Sequence, residues 1–449
     1  MVNKKKIIYG FEGFGGAEAI SKLDDADWYG IGKYSPRVDY NRNELELFSF
    51  SKNLPDSIKK IQLPASLLGK FNQNMSVYFD QLSRTRSCRT GTPEQNRQHI
   101  LLLLKWWYDK YQDVDIEWAF FAMPPHLGVD RVLSDYLEWK GVMVRWGMQT
   151  LFPPLYMVTD TDLNVIPAPS LLKNIGKQEM PHCEKEILFY MKTLRLKKPS
   201  FLKWLESRTK AGLGDSRYSV QWADMAYFDG KKYFKRIEDK INKDKYKFDK
   251  IVKDDIPFVY FPLHYQPEMT TSALGGVFSD QVLAIEVLHE KLPIGWKIVV
   301  KENPIQTFQY RDDRFFKRLK MLQNVVFSST SVDSKWLISK SQITATITGT
   351  ALWEAVRMQK PTLMFGRAWY EGFEGITPYH PNLKLDELAS ATISINQLEQ
   401  DFQIFIEKCY RGVIDADYNE SSGVDLKENI SLITRLFVDL TQQRMKLSC

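Results

Sequence analysis

The chain has 449 residues, of which 44% are hydrophobic and 13% aromatic, a composition that fits a globular protein of two or three domains and excludes a disordered one. Its formal charge of +6 is small for this length and argues against a nucleic-acid partner. Its four cysteines lie far apart with no paired spacing, which argues against both a disulfide framework and a zinc site.

The N-terminus does not predict a secretory signal, because the apolar run after the basic start MVNKKK stops within a few residues. No window reaches the roughly 18 uninterrupted apolar residues that a membrane-spanning helix needs. We therefore expect a cytoplasmic protein, with any membrane contact peripheral and on the inner face of the cytoplasmic membrane.

The first part of the chain alternates strand and helix patterns. A strand pattern in KKIIYGF leads into a glycine-rich turn and the helix pattern AEAISKL. Helix EQNRQHILLLLKWWYDKY, strand IEWAFFAMPP, helix VDRVLSDYLEWKG and strand VMVRWGM follow. This alternation predicts βαβ units on a parallel sheet in an N-terminal α/β domain of residues 1–170. Residues 171–255 are lysine-rich with a helical pattern, which we interpret as an insertion or linker.

A second alternation begins at residue 256. Five strand patterns are separated by helix patterns, which predicts a Rossmann-like domain over residues 256–385. The strand patterns are FVYFPL, WKIVVKENP, NVVFS, ITATITG and PTLMFG. Residues 386–449 predict helices that pack back on both domains. The expected fold class is α/β, with two Rossmann-like domains, a helical insertion and C-terminal helices.

The stretch ITATITGTALWEAV predicts a phosphate site where a β-branched strand runs into a helix. The strand ends at Thr348, Gly349 permits close backbone approach, and Thr350 stands at the expected N-cap. The amides and dipole of the helix N-terminus attract phosphate, and Glu354, one turn further on, is placed to reach a ribose hydroxyl. An ordinary capped helix in a βα turn would show the same pattern.

Two further strand ends carry polar groups. WKIVVKENP ends in Lys301 and Asn303, a cation and an amide suited to phosphate or base, although a solvated loop looks similar. VYFPLHYQPEMTT places His264, Gln266 and Glu268 after a buried strand, with Pro267 limiting how the loop can point its side chains. His264 is equally compatible with a core histidine. The three loops share one edge of the predicted sheet, and together they indicate a nucleotide site.

The succession FPLHYQPEMTT, VVKENP, ITGTALWEA and KPTLMFG resembles the bacterial capsule polysaccharide biosynthesis proteins, which include Kdo transferases using CMP-Kdo. The resemblance covers about Phe258 to Tyr370. It implies a glycosyltransferase of the GT-B type, with two Rossmann-like domains facing a cleft and the donor nucleotide on the C-terminal one. The sequence departs from many relatives at Asn303-Pro304, where a His-Pro pair is usual. Asparagine donates a hydrogen bond but carries no charge, so the identity of the donor stays open.

The N-terminal domain would then supply the acceptor site and a general base. Glu12 lies in the glycine-rich YGFEGFGGAE, and AMPPHLGVD places His126 and Asp130 after another strand. Each of the three is a candidate to deprotonate an acceptor hydroxyl, and each has a structural alternative. The spacing of the glycines does not match the dinucleotide fingerprint. A basic loop follows Ser83, with three arginines that would suit an anionic acceptor or simply solvent: Arg84, Arg86 and Arg89.

The sequence therefore predicts an enzyme that transfers a Kdo-like or other nonulosonic acid from a CMP-activated donor to a saccharide or lipid-linked acceptor. No cofactor and no metal is expected, because the donor carries its own leaving phosphate. Two alternatives stay open. One is a transferase using a UDP-sugar, a GDP-sugar or CDP-glycerol, and the other is a non-catalytic nucleotide- or sugar-binding subunit of a capsule assembly complex.

Overall fold

The computed structural model describes the chain in several stretches. They are residues 4–11, 14–23, 25–29, 56–82, 92–169, 172, 179–181, 245–266, 268–303, 306, 311 and 313–446. The chain divides into two compact units, Met1–Gln178 with Gln403–Cys449 and Glu179–Phe402.

Each unit is built around one sheet. In chain order the strands are Lys5–Tyr9 (β1), Ala26–Tyr29 (β2), Ile116–Phe121 (β3), Met143–Gln149 (β4), Leu155–Thr159 (β5), Val165–Ile166 (β6), Phe258–Pro262 (β7), Lys297–Lys301 (β8), Val325–Phe327 (β9), Ile343–Thr346 (β10), Thr362–Met364 (β11), Ile376–Pro378 (β12) and Tyr410–Arg411 (β13).

The α-helices alternate with these strands. They are Gly16–Ile20 (α1), Asp56–Lys60 (α2), Ala65–Gln73 (α3), Met75–Leu82 (α4), Pro93–Tyr111 (α5), Val129–Trp139 (α6), Met269–Ser272 (α7), Gln281–Glu290 (α8), Asp313–Met321 (α9), Ser334–Lys340 (α10), Thr350–Arg357 (α11), Leu385–Ala389 (α12), Ile395–Lys408 (α13) and Leu426–Lys446 (α14). Residues 245–253 are also helical.

The sheet of the first unit has the order β13-β5-β4-β3-β1-β2, with β6 on the outer part of β5. Strands β1 to β4 run parallel, whereas β5, β6 and β13 join antiparallel. From β1 the chain goes first to β2 on one side and later to β3 on the other. The strand order therefore reverses between β1 and β3, and the loops after these two strands lie at the same edge.

The sheet of the second unit has the order β12-β11-β10-β7-β8-β9, and all its pairings are parallel. From β7 the chain builds outward through β8 and β9, and then returns to β10 on the other side of β7. This is a doubly wound sheet whose order reverses between β7 and β10, the position where such sheets bind ligands.

Strand β7 is buried on both faces, which explains its continuous apolar run Phe258, Val259, Tyr260 and Phe261. Val259 and Phe261 belong to a core cluster with helix α8, whereas Phe258 and Tyr260 join a cluster with helix α10. The sequence of a half-exposed strand would alternate apolar and polar residues instead. The central position of β7 thus follows from its composition.

Helix α14 holds the glycine-rich turn of the first unit in place. The side chain of Asn429 is fully buried, accepts a hydrogen bond from the Val413 amide at 2.9 Å and donates to the carbonyl oxygens of Val413 and Phe14. Gly15 has φ +80°, and a Cβ there would lie 2.6 Å from Cγ1 of Ile430 on α14. A larger residue at this position would be strained in its backbone and would collide with the helix.

The predicted α/β class is confirmed, although only the second sheet is wholly parallel, because β5, β6 and β13 join the first sheet antiparallel. The prediction of five strands in the second sheet was one too few, because β12 is a three-residue edge strand that ends in Pro378 and shows no periodicity. The predicted domain bounds and the arrangement of two domains facing a cleft stay predictions. Most of the lysine-rich insertion, residues 182–244, lies outside the described residues.

Candidate functional site

The reversal between β7 and β10 brings together two of the predicted loops. His264 follows β7 by two residues, and Thr348 and Gly349 follow β10. Because parallel strands end at the same edge, these residues converge although 84 positions separate His264 from Thr348. That the two loops contribute to one ligand site stays a prediction.

His264 is the contact between the two loops. Its Nε2 accepts a hydrogen bond from the Thr348 amide at 3.2 Å and lies 2.8 Å from the Thr346 hydroxyl. An amide N–H can only donate, so Nε2 carries the lone pair and the neutral ring has its proton on Nδ1. No described residue accepts a hydrogen bond from that Nδ1–H group. The ring therefore has one donor left for a ligand or for solvent.

Burial keeps the imidazole of His264 neutral. Its pKa is lowered from 6.5 to about 3, first by burial and second by the positive charge of Arg311. Gly349 lets the ring approach the turn, because a Cβ on Gly349 would lie 3.0 Å from Nε2. Any larger residue would press against the ring that supports the Thr348 amide.

The turn from β10 into α11 is a helix N-terminus without a side-chain cap. The N-cap is Gly349, with extended backbone angles, and Thr350 is the first helical residue, so the predicted N-cap was wrong by one position. The Thr348 hydroxyl donates to the Thr270 carbonyl at 2.7 Å, and the Tyr370 hydroxyl donates to the Gly349 carbonyl at 2.7 Å. The turn is thus held from two sides, while the positive end of the helix dipole is at Thr350.

Lys301 is turned into the protein rather than into solvent. Its ammonium donates to the Val332 carbonyl at 2.7 Å and to the Ser334 hydroxyl at 2.8 Å. Burial lowers the pKa of Lys301, and the negative charges of Asp333 and Glu354 oppose that shift. The structure therefore brings Lys301 and Glu354 into electrostatic range of each other, next to the start of α10. Asn303 is half-buried, and its backbone N–H donates to the Glu302 carboxylate at 2.8 Å.

The side chains of Gln266 and Glu268 make internal contacts. Gln266 accepts a hydrogen bond from Arg311 and donates to the Ser279 carbonyl at 2.5 Å. Glu268 caps the short helix α7, accepting from the Thr270 amide at 3.0 Å. These contacts shape the loop. Donor binding by the two side chains stays a prediction.

Sequence reasoning missed the residues that support this loop. Arg311 and Glu302 form a fully buried ion pair, with 3.2 Å between Nε and Oε2. Gln281 and Gln306 bond the backbone of His264 and Gln266. In the sequence Arg311 stands in a polar stretch without periodicity, which looks like an exposed loop. A charged residue in a run of charged residues gives no signal of burial.

In the first unit, His126 lies in the turn between β3 and α6, and Asp130 lies in the first turn of α6. His126 Nδ1 lies 2.8 Å from the Pro124 carbonyl, which only accepts, so Nδ1 is protonated and a neutral ring has its lone pair on Nε2, as a base requires. The Asp130 carboxylate accepts three backbone amides, from His126 at 3.0 Å, Leu127 at 2.8 Å and Arg131 at 2.7 Å. This contact set makes Asp130 a capping group of the turn, and its catalytic role stays a prediction.

Other predicted residues fall outside the described part of the chain. Glu12 is one of them. It follows β1 in the chain, and β1 pairs with β3, the strand that precedes His126. Arg84, Arg86 and Arg89 are others. Within the described ranges, no three His, Cys, Asp or Glu side chains are grouped to hold a metal ion. No helix in the described part of the chain is long and apolar enough to span a membrane.

Residues 231–383 match the family model described as capsule polysaccharide biosynthesis protein. This confirms the resemblance seen in the sequence over a segment that includes all six strands of the second sheet and helix α11. No curated protein matches the chain.

Solved structures similar to the chain include a beta Kdo 2,7 transferase, KpsC of Thermosulfurimonas dismutans, at 12% identity over 69% of this chain and 89% of that chain, with a TM-score of 0.28. UDP-GlcNAc 2-epimerase of Methanocaldococcus jannaschii is similar at 11% identity over 97% and 100% of the two chains, with a TM-score of 0.25. At these identities and TM-scores the likeness says nothing about what the chain binds.

The neutral state of His264 predicts a pH dependence of folding. Since its pKa lies near 3 when folded and near 6.5 when unfolded, the unfolded state binds more protons between these values, and stability falls as the pH is lowered through that window. The slope is at most about 1.4 kcal/mol per pH unit. His264→Gln, which keeps an acceptor for the Thr348 amide but does not titrate, should therefore lose less stability than wild type between pH 6.5 and pH 4. Urea unfolding at a series of pH values measures this.

The exposed His380 offers a matched control, and His380→Gln should follow the wild-type pH dependence. A His264→Gln protein that loses stability as steeply as wild type would contradict the assignment.

Proposed function

We propose that the protein is a glycosyltransferase of capsule or surface polysaccharide biosynthesis. It transfers a Kdo-like or other nonulosonic acid from a CMP-activated donor to a saccharide or lipid-linked acceptor. The observation that supports this best is the family match over residues 231–383, because that segment includes the doubly wound sheet and the turn at its point of reversal.

The donor nucleotide binds, in this proposal, at the carboxyl ends of β7 and β10. The N-terminus of α11 faces the phosphate with its dipole, and the Nδ1–H of His264 and the hydroxyl of Thr350 add donors. Glu354, one turn into α11, accepts from a ribose hydroxyl. The ammonium of the buried Lys301 is bound by Val332 and Ser334, so in this proposal it does not touch the phosphate. Its positive charge acts through the electrostatic potential near Glu354.

The reaction is a displacement at the anomeric carbon. An acceptor hydroxyl oxygen forms a bond to that carbon, and the bond from the carbon to the phosphate oxygen of the nucleotide breaks. The nucleotide leaves with the electron pair, and a base of the first unit takes the hydroxyl proton. Donors at the α11 end stabilise the charge that develops on the leaving phosphate. Glu12, His126 and Asp130 are the candidates for the base, and no divalent metal or other cofactor takes part in this scheme.

Two other functions are tested by the same assays. A transferase with a UDP-sugar, a GDP-sugar or CDP-glycerol as donor would use the same phosphate site, since helix dipole and hydroxyl groups do not distinguish the base. A donor panel that detects release of CMP, UDP, GDP or CDP separates these. A non-catalytic binding subunit would bind a nucleotide without turnover and would tolerate loss of every candidate base.

The proposed nucleotide site predicts the effects of two substitutions. Thr350→Ala and Glu354→Ala should each weaken CMP binding by about tenfold, the effect of one lost hydrogen bond to a charged group, and should leave the protein folded. Calorimetric titration measures the affinity. In wild type, CMP at 100 times its Kd should add roughly 2.7 kcal/mol to the free energy of unfolding. Ser390→Ala, an exposed hydroxyl after α12, is the control and should bind as wild type. Unchanged affinity in both site variants would exclude this nucleotide site.

The proposed general base predicts a separation of binding from turnover. Glu12→Gln should lower kcat by about a hundredfold or more, the contribution usual for a general base, while nucleotide affinity stays near that of wild type. Steady-state kinetics and titration on the same preparation measure both. A Glu12→Gln enzyme with normal turnover would remove Glu12 from the mechanism and move the test to His126 and Asp130.

Peripheral contact with the inner membrane is part of the proposal for a lipid-linked acceptor. Lysines and aromatic residues alternate between Lys231 and Lys253, and each basic residue near an anionic surface contributes about 1 kcal/mol. We expect the protein to sediment with anionic liposomes and not with neutral ones. Sedimentation that persists after charge reversal across this stretch would contradict the contact.

A further inference from the structure

The loop after β7 is held by a buried charge pair. We infer that Arg311, together with Glu302, is a positioning residue for nucleotide binding. Here the β7 loop means residues 264–266 and 268, and the inference rests on the proposed function. Arg311 and Glu302 have no side-chain exposure, and neither is among the groups proposed above to touch the donor.

The guanidinium of Arg311 joins the end of β8 to the β7 loop. On one side it contacts the Glu302 carboxylate, with 3.2 Å from Nε to Oε2 and 3.4 Å from Nη2 to Oε1. On the other side Nη2 donates to the His264 carbonyl at 2.6 Å, and Nη1 donates to Gln266. Only a planar group with several N–H donors in fixed directions can bond to the Glu302 carboxylate and to the β7 loop at the same time.

Two glutamines complete the support of the loop backbone. Gln281 accepts from the His264 amide at 2.7 Å and donates to its carbonyl at 3.2 Å. Gln306 does the same for Gln266, at 2.9 Å and 3.0 Å. Beyond the end of β7 these backbone groups have no strand partner, so side chains take the place of the sheet.

The position of this loop matters for the site because of His264. Its carbonyl is bound by Arg311, and its ring accepts from the Thr348 amide at the start of the proposed phosphate site. Displacement of the loop would therefore displace the imidazole and the turn that it supports. The expected result of losing Arg311 is weaker nucleotide binding, beyond any loss of stability.

Loss of the charge pair can be separated from loss of the loop contacts by a double substitution. Arg311→Leu leaves the buried Glu302 carboxylate without the positive charge of Arg311, which destabilises the fold strongly, whereas replacing both members of a buried pair by apolar residues is often neutral. Arg311→Leu with Glu302→Leu should therefore regain much of the wild-type Tm. It still lacks the donors to His264 and Gln266.

We expect the Kd for CMP to rise about tenfold or more in both Arg311→Leu and the double variant, as expected when a hydrogen bond from a charged group is lost. Hydrogen exchange of the His264 and Gln266 amides should be faster in both. The Kd and the exchange rates of Arg311→Lys should lie between those of these two variants and those of wild type. Lysine keeps the positive charge but lacks the several fixed N–H donors of the guanidinium. Arg318→Leu is the control. It removes an arginine of α9 that pairs with Asp280 and Glu286 while more than a third exposed, and its Kd should equal that of wild type.

A double variant that regains stability and binds CMP as wild type would overturn the inference, because Arg311 would then serve stability alone. Unchanged exchange at the two loop amides in Arg311→Leu would overturn it as well. If wild type binds none of CMP, CDP, UDP and GDP, the proposed function fails and the role in binding fails with it. The exchange data still decide in that case whether Arg311 positions the loop.

Discussion

The hydrogen bond from the Thr348 amide to Nε2 of His264 joins the two strands between which the second sheet reverses. It connects the end of β7 with the end of β10, although β8 and β9 lie between these strands in the chain. Because it needs a lone pair on Nε2, it depends on a neutral imidazole, and burial supplies that condition by lowering the pKa of His264 to about 3. The ring is thus a structural part of the site and a hydrogen-bond donor on its other nitrogen.

Both units fix the loop at their point of reversal by side chains distant in sequence. In the second unit Arg311 and two glutamines bind the loop after β7. In the first unit Asn429 of α14 binds the Phe14 carbonyl in the turn after β1. Loops at these positions have backbone groups that no strand can satisfy, and buried amides and guanidinium groups satisfy them instead.

The sequence predicts strands and helices well here because apolar periodicity is a local property. The run FVYF predicts a strand covered on both faces, and the polar residues after it predict a loop at the ligand edge. Which side chain bonds to which is not local. Gln266 and Glu268 look like ligand-binding groups in sequence, yet in the structure one meets Arg311 and the other caps α7. Lys301 looks like a surface cation and is nine-tenths buried. Contacts between residues far apart in the chain fix the side chains of Gln266 and Lys301, whereas Glu268 bonds the Thr270 amide two residues away.

The first unit is interrupted in sequence, since Met1–Gln178 is completed by Gln403–Cys449. Strand β13 pairs with β5 across this gap, and Leu432, Leu436 and Phe437 of α14 cover Trp118 and Phe120. On the ribosome, every residue of the second unit is therefore made before the helix that closes the first. Until then Trp118 and Phe120 lack the cover of α14 for as long as synthesis of the intervening 224 residues (Glu179–Phe402) takes.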